Sequence, residues 1–113
     1  MNDKINKFLY DIKLSIDKIE NYVLNKDIDT YSNDGMLRDA VERNFLIIGE
    51  AMNHLVKLKP NIKITSTIEI IGMRNRIVHG YDMVSNVAVW DAIENHIPIL
   101  KKEINTLLKN NQL

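Results

Sequence analysis

The segment IIGMRNRIVHGYD, from Ile70 to Asp82, places two arginines, a histidine and a tyrosine among isoleucine, valine and methionine side chains. In a helix, a rotation of 100° per residue divides its residues into two opposite arcs. One arc holds Ile68, Ile71, Asn75, Val78 and His79. The other holds Ile70, Met73, Arg74, Ile77 and Tyr81. A surface helix of a small bundle normally has one apolar stripe, so two stripes predict a helix that is buried on two sides.

The second apolar arc needs a covering surface, which is either a longer neighbouring helix or a second copy of the protein. A symmetric dimer would set the patch against itself and bring two copies of Arg74, His79 and Tyr81 into one cleft. In a regular helix Arg74 and His79 are about 140° apart. They can converge through the length of the arginine side chain, through a loosened helix end at Gly80, or by pairing across a dimer.

Three further helices are predicted around this segment. The first runs from about Asp3 to Leu24, and its apolar face comprises Ile5, Phe8, Leu9, Ile12, Ile16, Ile19 and Val23. The second ends at about Leu58, ahead of Pro60, and its heptad-like seam comprises Leu37, Val41, Asn44, Ile48, Ala51 and Leu55. The last is capped by Ser85 or Asn86, and its face comprises Trp90, Ile93, Ile97, Leu100, Ile104 and Leu107 or Leu108.

Local signals predict where the helices begin and end. The stretch NKDIDTYSNDG, residues 25–35, is interpreted as a loop with helix start signals near Asp29 or from Ser32 to Asp34. Ser66 and Glu69 have the spacing of a capping box. Gly80 can end that helix, because glycine accepts the left-handed conformation on which many helices end.

The predicted fold class is all-α. Pro98 lies inside the last helix and predicts a kink there, because the apolar spacing continues beyond it. The short connections favour an antiparallel four-helix-type bundle. The 113 residues are expected to form a single domain, residues 1–113.

The composition excludes several classes of protein. The absence of cysteine excludes disulfides, thiolate metal sites and cysteine nucleophiles. Fifteen basic and fifteen acidic side chains give no overall attraction to nucleic acid, so a nucleic-acid site would have to be a local patch. No apolar run approaches the roughly 20 residues of a membrane span, and the charged N-terminal stretch is not typical of a secretory signal. We therefore expect a cytoplasmic location and no membrane contact.

Three stretches together carry a resemblance to a known family. Arg74, His79 and Tyr81 fit the pattern R-x4-H-x-Y. The segments DAVERNFLIIGEAMNHL (residues 39–55) and VSNVAVWDAIENHIPIL (residues 84–100) resemble the helices that flank this motif in HEPN domain proteins of the HepT type. Members of this family accompany MNT-type minimal nucleotidyltransferases in toxin–antitoxin pairs. The resemblance covers nearly the whole chain, whereas R-x4-H alone would be a weak signal.

The resemblance implies a HEPN-like helical bundle that forms a homodimer with the motif at a shared cleft. It also implies metal-independent cleavage of RNA, with Arg74 and His79 as the catalytic pair and without a metal or another cofactor. In the HepT branch, the partner nucleotidyltransferase transfers AMP to the motif tyrosine, here Tyr81, and so silences the toxin. The implied function is therefore the toxin of a type VII-like toxin–antitoxin pair, with RNA as substrate and an MNT-type antitoxin as partner.

Each of these residues also has a simpler interpretation. His79 can stabilise a helix C-terminus, and Arg74 can be an ion-pair donor to Glu50 or to an aspartate. Tyr81 can be a packing residue. The supporting candidates are equally open: Asn75 can orient His79, Arg76 can be a solvated charge that touches RNA, and Glu50 can anchor Arg74 or face a partner.

Two other functions compete with the ribonuclease. The chain could be a non-catalytic accessory subunit that binds a nucleotide or presents substrate to a nucleotidyltransferase. It could also be a purely structural helical interaction module. Metal-independent cleavage that depends on His79 and Arg74 would separate the enzyme from both alternatives.

Overall fold

The structure, a computed structural model, describes residues 3–80 and 84–111, and these residues form helices joined by short connections. The six α-helices are α1 (Asp3–Val23), α2 (Ile28–Asn33), α3 (Gly35–Leu58), α4 (Thr67–Val78), α5 (Asn86–Asp91) and α6 (Ile97–Asn111). A π-helical turn, Ala92–His96, joins α5 to α6. The prediction of an all-α bundle is confirmed.

The core lies between the two long helices and the elements that flank them. Helix α3 packs against α1 on one side and α4 on another, and α6 packs against α1. The predicted faces are buried, including Leu9, Ile12 and Ile16 of α1 and Val41 and Ile48 of α3. The spacing of three and four residues places these side chains on one side of each helix, so a single hydrophobic cluster is formed. Within the described ranges, no helix is long and apolar enough to cross a membrane.

The prediction of a loop between the first two long helices is wrong in part, because this segment contains the short helix α2. The Asp27 carboxylate caps α2 by accepting a hydrogen bond of 2.8 Å from the Thr30 N–H. Tyr31 is fully buried, and its ring lies 5.5 Å from that of Trp90. The following helix does begin at the predicted signal, since Asp34 accepts a hydrogen bond from the Leu37 N–H.

The start of α4 differs from the predicted capping box. Ser66 occupies the N-cap position, but its side chain makes no capping bond; its hydroxyl lies 3.4 Å from Nδ1 of His96. The helix ends at Val78, with His79 as its C-cap residue. Gly80 follows the C-cap residue directly, which is the position where a helix-ending glycine commonly lies.

The π-helical turn explains how a proline fits near the start of α6. The Ile97 N–H donates to the carbonyl oxygen of Ala92, five residues earlier. Proline has no N–H and its ring clashes with the carbonyl four residues before it, and a widened turn removes this conflict. The apolar face continues beyond Pro98, as predicted, with Leu100 and Ile104 buried.

Candidate functional site

Arg74 is held in place by two polar side chains. Its Nη2 forms an ion pair with a carboxylate oxygen of Glu50 on α3, and its Nη1 donates a hydrogen bond of 2.9 Å to Oδ1 of Asn75. Nε is buried and has no hydrogen-bond partner within residues 3–80 and 84–111. The Arg74 side chain is 20% exposed and that of Glu50 is 46% exposed. The guanidinium is therefore fixed in orientation and still reachable from solvent.

Gly49 allows α4 to lie directly against α3 at this point. A Cβ atom built on Gly49 would lie 2.7 Å from Cγ of Arg74 and 3.4 Å from the carbonyl oxygen of Ile70. The glycine thus makes room for the aliphatic part of the arginine, and Glu50 follows immediately to hold its head group. Sequence analysis did not assign this role, although an isolated glycine inside a helical pattern is a signal for close packing.

His79 is the C-cap residue of α4. Its backbone N–H donates to the carbonyl oxygen of Asn75 at 2.9 Å, which closes the last turn of α4. The residue is exposed, and no hydrogen bond to its ring is found within the described ranges. The imidazole is therefore accessible to a ligand.

Within residues 3–80 and 84–111, the chain covers one of the two predicted arcs of α4 and leaves much of the other exposed. Ile70 and Met73 are buried and Ile77 is half-buried. On the other arc, Ile71 is half-buried, while Ile68 and Val78 are 82% and 46% exposed. The exposed arc also carries Asn75 and His79, so the accessible histidine lies among uncovered apolar side chains.

The remaining predicted site residues have different surroundings. The Asn75 side chain contacts Arg74, and Glu50 anchors Arg74, which is one of the two roles left open for it. Arg76 is exposed, and its Nε lies 3.5 Å from the carbonyl oxygen of Gly72 in its own helix. Tyr81 lies outside the described residues. In the described part of the chain, no group of three or more histidine, aspartate and glutamate side chains could hold a metal ion.

Comparisons with known proteins show which family the chain is similar to. The family model described as "Ribonuclease HepT-like" matches residues 12–107. Two proteins of Methanocaldococcus jannaschii, each named "Putative RNase", are both 32% identical over 107 residues. These alignments cover 94% of this chain and 88% and 92% of the two relatives.

A third relative comes from another organism. A protein of Thermococcus cleftensis named "Probable ribonuclease HepT" is 30% identical over 106 residues, which is 90% of this chain and 94% of that protein. No solved structure gives a significant match. The matched range contains α1 from residue 12 onward and all of α3 and α4. The chain belongs to the ribonuclease HepT-like family.

Proposed function

We propose that this protein is a metal-independent endoribonuclease that acts as a homodimer and is the toxin of a type VII-like toxin–antitoxin pair. The observation that carries the proposal is the placement of two groups on α4. Arg74 is anchored by Glu50 and Asn75, and the exposed His79 follows five residues later at the helix end. One group suits phosphate binding and the other suits proton transfer.

The chemistry uses the nucleophile that RNA itself carries. The 2′-hydroxyl lies next to each phosphate, and its attack on phosphorus requires loss of its proton and protonation of the leaving 5′-oxygen. The His79 imidazole can take or give a proton near neutral pH. The Arg74 guanidinium can bind phosphate oxygens and stabilise the charge that develops on them. The expected products are a 2′,3′-cyclic phosphate and a 5′-hydroxyl.

A homodimer would supply a second motif histidine. Each protomer has one histidine in the motif, whereas the reaction needs both an acid and a base. The apolar arc around Val78, which the described part of the chain leaves exposed, is suited to packing against a second copy. Such packing would bring the two His79 rings to the same cleft.

The regulatory part of the proposal concerns Tyr81. Transfer of AMP from ATP to its phenol forms an aryl phosphodiester and releases pyrophosphate. Because Tyr81 follows His79 by only two residues, the added nucleotide would place bulk and negative charge beside the cleft. Both effects would exclude the RNA backbone.

Cleavage of RNA in the presence of EDTA tests the enzymatic part. We expect the wild-type protein to cut RNA, His79→Ala and Arg74→Ala to lose cleavage, and His54→Ala to retain it as an exposed-histidine control. RNA with 2′-deoxy substitution at the cut site should resist cleavage. If no RNA is cut, the accessory-subunit function becomes the better proposal, and equal cutting of the deoxy substrate would refute the 2′-hydroxyl mechanism.

The intact mass of the protein tests the regulatory part. After incubation with the neighbouring nucleotidyltransferase and ATP, we expect mass steps of AMP in the wild-type protein and none in Tyr81→Phe. Tyr10→Phe is the matched control, because Tyr10 is 44% exposed on α1 and should leave the mass steps unchanged. Mass steps that persist in Tyr81→Phe would place the modification elsewhere.

A further inference from the structure

A cavity of about 580 Å³ opens at the C-terminal end of α4. Its walls come from four parts of the chain: the end of α2, the first turns of α3, the end of α4 and the segment that enters α5. Ile77 and Gly80, which lie on either side of His79, both line it. The volume is within the range of sites that hold a nucleotide-sized ligand. The cavity thus adjoins the proposed catalytic end of α4.

The charged groups of this cavity favour hydrogen-bond donors over anions. Asp39 and Glu42 bring two carboxylates, and Arg38 brings one positive charge. Arg38 already donates a hydrogen bond through Nη1 to the backbone carbonyl of Ser32. The three side chains leave a net negative charge, which disfavours a phosphate group. A neutral ring with N–H donors suits this lining better.

Glu42 is an acceptor that the described chain leaves unpaired. It is half-buried, and no ion pair to it is found within residues 3–80 and 84–111. Burial and the neighbouring Asp39 raise the pKa of its carboxyl. A half-buried carboxylate without a partner gains most from a ligand that donates two hydrogen bonds to it.

A second unpaired polar group lies near the same cavity. The Tyr31 hydroxyl is buried and has no hydrogen-bond partner in the described part of the chain. Burial raises the pKa of Tyr31, and the charges of Glu42, Arg38 and Asp39 also affect it. The hydroxyl is therefore within electrostatic range of three lining residues. Tyr31 is fully buried and does not itself line the cavity, so Glu42 is the unpaired polar group that a ligand would meet there.

We propose that this cavity binds the guanine base of the RNA nucleotide beside the cleaved phosphate, with Glu42 as the acceptor. Guanine offers an imino N–H and an amino group side by side, which one carboxylate can accept together. Adenine and cytosine offer an amino group without an adjacent imino N–H, and uracil offers one imino N–H between two carbonyl oxygens. The assignment to RNA rests on the proposed ribonuclease function, whereas the binding of guanine does not.

The first experiment measures nucleoside binding without cleavage. The full chain carrying His79→Ala is titrated with guanosine, adenosine, cytidine and uridine, and backbone amide shifts are followed by NMR. We expect saturable shifts at Asp39, Glu42 and Ile77 with guanosine and the weakest response with uridine. Equal responses to all four nucleosides, or no saturable response to guanosine, would overturn the proposal.

Variants test whether Glu42 is the acceptor. Glu42→Gln keeps the shape of the side chain but replaces one acceptor oxygen by a donor, so guanosine affinity should fall by about tenfold or more. Glu69→Gln removes the same charge from an exposed position at the other end of α4 and should change affinity less than about twofold. An equal fall in both variants would contradict a specific role for Glu42.

The second experiment asks whether the base belongs to RNA. Oligoribonucleotides that differ only in the base next to the cut site are compared as substrates of the wild-type protein and of Glu42→Gln. A preference for guanine in the wild-type protein that disappears in Glu42→Gln, because cleavage of the guanine substrate falls towards that of the other three, supports the proposal. Guanosine binding without any such preference would overturn the assignment to RNA. Guanosine binding by a protein that cuts no RNA would refute the ribonuclease function and leave the guanine site intact.

Discussion

At the scale of single residues, two polar side chains of the same chain fix the orientation of Arg74. A guanidinium has five N–H groups, and the described contacts of Arg74 with Glu50 and Asn75 use two of them. Sequence analysis named all three residues but left open which of them would meet, because helical periodicity relates residues of one helix only. The meeting of Arg74 with Glu50 depends on how α3 and α4 pack, and this contact joins residues 24 positions apart.

Replacement of Arg74 by lysine should separate charge from geometry. Lysine keeps the positive charge but lacks the planar fork, so it cannot bond Glu50 and Asn75 while also facing a phosphate. We expect RNA cleavage to fall by about 10²-fold or more. The measurement is the rate of cleavage at saturating RNA.

Arg43→Lys is the matched control for this change, since Arg43 is an exposed arginine on α3. It should change the rate less than about threefold, as is usual for exposed charges that remain charged. Similar losses in the two variants would mean that Arg74 acts through general electrostatic attraction of RNA.

Glu42 predicts a pH-dependent change in stability. Burial raises the pKa of the Glu42 carboxyl in the folded protein. The ionised carboxylate at neutral pH therefore lowers the stability of the folded protein. Glu42→Gln should therefore be more stable than the wild-type protein at pH 7. This difference should shrink as the pH falls through the raised pKa and vanish below the ordinary value of 4.5, where Glu42 is protonated in both the folded and unfolded states. Urea unfolding of both proteins at several pH values measures this difference in stability. A difference that grows on acidification would contradict a raised pKa for Glu42.

At the scale of elements, the periodic pattern was sufficient for the long helices and insufficient for the short ones. The faces of α1 and α3 were predicted because many turns repeat the same spacing. Helix α2 has only six residues and its polar composition is typical of a loop, so its helicity depends on the Asp27 cap and on burial of Tyr31 in the tertiary structure. The π-helical turn before Pro98 was also not predicted, because a proline signal indicates a disturbed helix without specifying how the turn adapts.

The contact between α3 and α4 predicts opposite effects for two glycines. At Gly49 an added Cβ would overlap the Arg74 side chain, so Gly49→Ala should push the helices apart. We expect a loss of about 1–2 kcal/mol of unfolding free energy, because overpacking costs more than the helix propensity of alanine returns. RNA cleavage should fall as well, since Arg74 would be displaced.

Gly72→Ala provides the control within the same pair of helices. No atom lies within 4 Å of a Cβ built on Gly72, so alanine should raise the unfolding free energy by about 0.5–1 kcal/mol. Urea unfolding of both variants measures these changes. Stabilisation by Gly49→Ala would mean that α3 and α4 are not in close contact in solution.

At the scale of the whole molecule, the two arcs of α4 define an inner and an outer surface. The sequence pattern predicts that both arcs are covered. It does not determine whether a neighbouring helix or a second copy of the protein covers the second arc. Within residues 3–80 and 84–111, the chain leaves Ile68 and Val78 exposed, so the cover is not supplied by these parts of the protein. The sequence pattern of one chain shows that a helix face is apolar. It does not show which surface packs against that face, because this depends on how chains associate.

Replacement of Val78 by glutamate should weaken the proposed homodimer. A charge on this arc would have to be desolvated against the second copy without a matching partner, so the dimer dissociation constant should rise by about tenfold or more. Val87→Glu is the matched control, because Val87 lies on α5 outside this arc and is 67% exposed, compared with 46% for Val78.

Sedimentation velocity over a range of protein concentrations measures the dissociation constant, and circular dichroism checks the fold of both variants. Because the reaction is proposed to need a histidine from each copy, cleavage should fall in parallel with the dimer fraction in Val78→Glu and stay unchanged in Val87→Glu. A Val78→Glu protein that remains monomeric at all concentrations and still cuts RNA at the wild-type rate would show that one chain is sufficient for catalysis.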